Sequence, residues 1–126
     1  MLECKNLSVF YGQHHALDQV SLRIEPGEIV VILGANGAGK SSLLKAIAGM
    51  IPTFQGSEVH MNGINISDFP AHDIVETGLA LVPEGRGIFG DLTVLENLKL
   101  GAFPERAEAS ETLNLERVLS LFPKLS

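Results

Sequence analysis

One cysteine, Cys4, stands in a chain of 126 residues. No disulfide can form within the chain, and a zinc cluster built on thiolates is not expected. A small thiol of this kind reads as a buried strand residue. Basic residues are also few: 9 Lys and Arg face 15 Asp and Glu, a net charge of −6. With no basic stripe to neutralise phosphates, nucleic acid is not an expected partner. Long apolar runs are missing too. Nothing approaches the roughly 18 residues needed to cross a bilayer, and the densest stretch, Ser41 to Ile51, carries Lys45. Glu3, Lys5 and Asn6 interrupt any secretory leader. The expectation is a cytosolic protein with no direct membrane insertion. Hydrophobic residues at 45% and charged residues at 19% leave a globular composition of one-domain size.

Periodicity supplies the elements. Val20, Leu22 and Ile24 alternate with polar neighbours, as in a half-buried antiparallel strand. After the Pro26-Gly27 turn signal, Ile29-Val30-Val31-Ile32-Leu33 is an unbroken apolar run rich in β-branched residues, expected as a strand covered on both faces. Helical spacing follows from Leu43, Leu44, Ile47, Ala48 and Ile51, ended by Gly49 and Pro52. Val59 and Met61 lead to Asn62-Gly63, a hairpin signal, and on to Ile64-Asn65-Ile66. A short helix is predicted from Pro70 to about Thr77, with Gly78 beyond it. Leu79 to Val82 is a second buried-strand candidate. Thr93-Val94-Leu95-Glu96 fits a capping box opening a helix to about Leu100. A last helix carries Leu115, Val118, Leu119 and Phe122 and is stopped by Pro123.

The chemistry sits between the first buried run and the first helix. Gly34-Ala35-Asn36-Gly37-Ala38-Gly39-Lys40-Ser41 matches G-x-x-x-x-G-K-[ST] in full. Glycines there let backbone N–H groups turn inward around a phosphate. Lys40 supplies a point charge for the β- and γ-phosphates, and the Ser41 hydroxyl can ligate Mg²⁺. A helix beginning near Lys40 adds the positive end of its dipole. The loop and helix start give the nucleotide-binding residues Gly34, Ala35, Asn36, Gly37, Ala38, Gly39, Lys40, Ser41 and Ser42. His14 and His15 have no Cys or His companions at metal-ligand spacing and read as solvated loop residues.

The motif alone is shared by GTPases, nucleoside kinases and many ATPases, although the GTPase base-reading N-K-x-D is absent. A wider stretch narrows the choice. Tyr11-Gly12, GANGAGKSSLLKAIAG and LALVPEGRGIFGDLTVLENLKLGA resemble the ABC transporter ATPase family across most of residues 2 to 103. The resemblance implies an α/β fold: a P-loop NTPase (RecA-like) core with an antiparallel β-subdomain over about 1–92. The start of a helical subdomain would follow over about 93–126. It implies ATP and Mg²⁺ as cofactors, and it places an adenine-stacking aromatic at Tyr11, whose other reading is a half-buried strand end. It further implies a second ATPase subunit as dimer partner. Transmembrane permease subunits would hold the protein peripherally at the cytoplasmic face.

Glu84 falls where most of this family has glutamine, and VPEGRGIFGDLTVLENL resembles an ATPase subunit of branched-chain amino-acid importers. A carboxylate there could hold Mg²⁺ directly or through water, and it would repel a γ-phosphate unless the metal lies between. A local rival reads Leu79 to Val82 with Glu84 as a Walker-B strand and its acid. Ile88, Phe89 and Leu92 lie where the family receives a coupling helix from its membrane partner; ordinary packing is the alternative. The family's signature motif, Walker-B acids and switch histidine are expected beyond Ser126, so the catalytic residues are unassigned. The expected activity is ATP hydrolysis by the whole subunit, driving import of branched-chain amino acids. ATPase action for another solute, or nucleotide binding without turnover, are the alternatives.

Overall fold

A computed structural model of the chain describes residues 1–34, 39–82, 85 and 87–126. They divide into two compact units, Met1–Leu81 and Val82–Ser126.

In the first unit, β1 (Leu2–Tyr11) and β2 (His14–Ile24) make a long antiparallel hairpin. β3 (Glu58–Met61) and β4 (Ile64–Asn65) extend it to a four-stranded sheet of order β2-β1-β3-β4. The predicted Asn62-Gly63 turn joins β3 to β4, with φ of 52° and 83°, the positive values a tight hairpin requires. Alternation along β1 is broken: Cys4, Leu7 and Val9 are all buried. Asn6 takes φ 52°, and the register against β2 shifts between Cys4 and Leu7, a bulge that returns Leu7 to the core face. Serine hydroxyls serve the backbone around it. Asn6 N–H donates to Ser21 Oγ (3.0 Å), Gln19 N–H to Ser8 Oγ (2.9 Å) and Ser8 N–H to Ser57 Oγ (3.0 Å). Buried backbone groups demand such partners.

Against this sheet pack α1 (Lys40–Ile47), through Leu43, Ala46 and Ile47, and α2 (Ala71–Glu76), through Ile74. Leu7 and Ile66 are fully enclosed between the layers. Truncating Leu7 to alanine would cost about 2–5 kcal/mol in lost burial and cavity formation.

Two expected strands are not formed. Residues 29–33 lie outside the sheet, with Ile29 92% and Leu33 88% exposed. Residues 79–82 likewise form no strand, and Val82 is exposed. A strand is a pairing, and among the described residues neither run has a neighbour to complete its ladder. The period of two survives all the same. Val30 and Ile32 are each less exposed than Ile29, Val31 and Leu33, and they line an apolar groove of about 180 Å³ with Leu44, Ile47, Leu79 and Leu81. The histidines differ as well: His14 and His15 belong to β2, because Gly12 and Gln13 alone make the turn. His15 stacks on Phe10 with ring centroids 3.9 Å apart.

The second unit holds α3 (Val94–Leu100), α4 (Glu105–Glu108) and α5 (Glu111–Leu121), then a 3₁₀ turn over Pro123–Leu125. The capping box is formed as predicted: Glu96 N–H donates to Thr93 Oγ1 (3.1 Å), and Thr93 N–H donates to Glu96 Oε1 (3.0 Å). Just after it, Asn97 folds its side chain back over the preceding loop. Its Oδ1 accepts from Phe89 N–H (2.9 Å), and its Nδ2 donates to the carbonyls of Phe89 (3.1 Å) and Thr93 (2.9 Å). No residue of α3, α4 or α5 is fully buried, and the stripe Leu115, Val118 and Leu119 is half-buried.

Candidate nucleotide-binding site

α1 opens on Gly39, whose φ of 94° is left-handed and whose neighbours leave no room for a side chain. A Cβ at Gly39 would stand 2.6 Å from the Ala16 carbonyl oxygen and 3.0 Å from Leu17 Cδ2. The end of the glycine-rich loop therefore rests directly on the backbone of β2. Gly39 also adds no capping side chain, and no acid occupies the first turn of α1. The first turn of a helix points N–H groups out of its end, and the dipole favours an anion there.

The charged and hydroxyl groups of the site gather at this end. Lys40 is the first residue of α1, and its ammonium donates to the Gly34 carbonyl across the loop. Among the described residues no carboxylate pairs with it. Its charge remains available to an incoming phosphate, which would exchange a neutral acceptor for an anionic one. Ser41 is exposed and Ser42 is half-buried, one and two residues further on. Tyr11, 48% exposed at the end of β1, brings its hydroxyl to 3.2 Å from Ser42 Oγ.

The structure thus gathers Tyr11, Gly34, Gly39, Lys40, Ser41 and Ser42 at one end of α1. Ala35, Asn36, Gly37, Ala38 and Glu84 lie outside the described residues. Sequence reasoning missed the supporting contacts: Ala16 and Leu17 under Gly39, and the bond between Tyr11 and Ser42. Those pairs lie farther apart in the sequence than any periodicity window reaches, so no local signal announces them. Ile88 and Phe89 are well exposed ahead of α3, and Leu92 is 37% exposed. Among the described residues, no group of His, Cys, Asp and Glu is arranged to hold a metal, and no helix is long and apolar enough to cross a membrane.

A family model described as ABC transporter matches residues 17–124. The chain belongs to the ABC transporter family. Over 125 residues it is 40% identical to the high-affinity branched-chain amino acid transport ATP-binding protein BraG of Pseudomonas aeruginosa. That match takes in 99% of this chain and 53% of BraG. It is 39% identical over 103 residues to the xylose import ATP-binding protein XylG of Shigella flexneri, covering 80% of this chain and 20% of XylG. Among solved structures, a dimeric ATP-binding cassette in a post-hydrolysis state bound to ADP and Pi superposes with a TM-score of 0.73 at 28% identity. That superposition covers 92% of this chain and 55% of the cassette. This ABC family chain therefore spans about half the length of BraG, and its fold is the α/β fold of the ABC ATPase cassettes.

Proposed function

We propose that the chain binds Mg·ATP through the loop 34–41 and is the nucleotide-binding part of an ABC transport ATPase subunit. The observation that carries this reading is the end of α1. A complete phosphate-loop sequence runs into it, Lys40 reaches back across the loop, and the first turn of α1 carries no acid. Lys40 would draw the β- and γ-phosphates, and Ser41 would hold Mg²⁺, which neutralises phosphate charge when bound. Tyr11 would stack on adenine, and Glu84 would stand on the metal side of the γ-phosphate.

The whole subunit, about twice as long as this chain on the scale of BraG, would hydrolyse ATP as a dimer beneath permease subunits at the cytoplasmic face. Branched-chain amino acids are the cargo class supported by the 40% match over nearly the full chain. XylG supports a second reading, import of a sugar, over a shorter stretch. Turnover needs groups that orient an attacking water as well as the phosphate cradle, so this chain would bind without the whole subunit's rate.

Thermal unfolding with and without Mg·ATP tests the site. At about 100 times its dissociation constant, the ligand should stabilise the fold by about 2.7 kcal/mol. Lys40→Ala should abolish most of that shift. A shift of equal size in the variant would remove the loop as the site.

A further inference from the structure

The contact between Tyr11 and Ser42 carries an inference beyond phosphate binding. The two hydroxyls share a hydrogen bond at 3.2 Å, across 31 residues of sequence. Tyr11 is the last residue of β1, about half exposed, and among the described residues its ring stacks on no other aromatic group. Left to itself, such a side chain samples several rotamers, and ordering it on ligand binding would cost free energy. Ser42 sits in the first turn of α1, the turn that also carries Lys40 and Ser41. The same turn is seated on β2 by the close approach of Gly39 to Ala16 and Leu17. The hairpin and the helix end are thus joined twice, once through backbone and once through the pair of hydroxyls.

We infer that Ser42 is a positioning residue for Tyr11: its hydroxyl holds the phenol ring in register with the phosphate end of α1, so the site prefers phosphates that carry a base. The inference rests on the nucleotide reading above and deepens it. Contacts from the loop to the β- and γ-phosphates serve ATP and inorganic tripolyphosphate alike, since both offer that part of the anionic chain. A ring held at a fixed place beside the loop adds stacking for ATP only. The hydroxyl bond adds nothing to stacking itself. It keeps the ring where stacking needs it.

The chain provides its own reporter, because it has one tyrosine and no tryptophan, so tyrosine emission comes from Tyr11 alone. Emission would be followed while Mg·ATP or Mg·tripolyphosphate is added to the full chain and to Ser42→Ala, Ser42→Thr, Tyr11→Phe and the double variant. Titration calorimetry gives both affinities for the variants that lack the phenol. The expected result is a drop of about 3-fold in the ratio of ATP to tripolyphosphate affinity for Ser42→Ala and for Tyr11→Phe, the worth of one exposed hydrogen bond. The double variant should lose no more than either single one, and Ser42→Thr, which keeps the hydroxyl, should restore the ratio. Equal weakening of both ligands by Ser42→Ala would assign Ser42 to the phosphates and overturn the inference. So would losses that add in full. If the unaltered chain binds tripolyphosphate but ATP neither quenches Tyr11 nor binds more tightly, the inference fails while the loop reading stands. If it binds neither ligand, the nucleotide reading itself fails.

Discussion

Gly39 meets Ala16 backbone to backbone: a Cβ on the glycine would stand 2.6 Å from the alanine carbonyl oxygen. That approach seats the lysine-bearing end of α1 on the β-hairpin, and it leaves no tolerance for a methyl group. Gly39→Ala must also hold φ at 94°, a conformation L-residues rarely adopt. The variant should lose on the order of 1–3 kcal/mol of stability from backbone strain, before the steric contact is counted. Its midpoint in a denaturant titration should fall, and the Mg·ATP thermal shift should shrink with it. An unchanged midpoint would mean the loop end can lift off β2 freely.

The Cys4 thiol is pushed up from 9.0 to about 11 by its burial, with the Glu3 carboxylate adding to the effect. The folded chain holds that proton more tightly than the unfolded one. This contribution to stability is therefore complete below about pH 9 and is lost as pH rises toward about 11. A disulfide reagent at about pH 8 should find Cys4 unreactive in the folded chain and reactive once denaturant is added. Rapid reaction in the native state would show that the core opens locally.

Glu96 is displaced the other way. The Thr93 backbone N–H lowers its pKa first, and the Thr93 hydroxyl adds to that. The folded state binds this proton less tightly, so the capping box contributes above the unfolded pKa and is lost as pH falls through the lowered folded value. Carboxyl NMR should find Glu96 titrating below the ordinary glutamate value of about 4.3. Thr93→Ala should bring it only part of the way back, because the backbone N–H remains. A full return would place the whole effect on the hydroxyl.

Residues 29–33 turn Ile29, Val31 and Leu33 to solvent, with Val31 72% exposed. Unpaired apolar edges invite a second chain. Sedimentation of the 126-residue chain should reveal association that grows with concentration. Val31→Lys, a charge on the edge, should shift it toward monomer. Wild-type chain that stays monomeric over the whole range would count against this surface.

What could be read from the sequence was what a few neighbouring residues decide between themselves. Thr93 and Glu96 cap one helix turn, Asn62-Gly63 closes one hairpin, and the apolar spacing of α1 is internal to it. The cap and the hairpin formed as expected, and α1 buries Leu43 and Ile47 of its expected face, while Leu44 stays 45% exposed and Ile51 lies beyond the helix. Ile29 to Leu33 has equal strand character by composition, yet strandhood depends on a partner that composition cannot supply. The bulge at Asn6 escaped for a related reason, since it answers to the register of β2 and to hydroxyls at Ser8 and Ser21. At the candidate site, the loop motif named its own residues, whereas the support beneath it comes from the hairpin.

Asn97 has one more consequence. By tying its amide to Phe89 and Thr93, it braces the loop ahead of α3 while Ile88 and Phe89 stay open to solvent. A surface cast in advance surrenders little motional freedom when something is laid upon it, so most of the attraction survives as affinity. Any partner that grips Ile88 and Phe89 meets a mould already set, and it is Asn97, which need not touch that partner, that sets it.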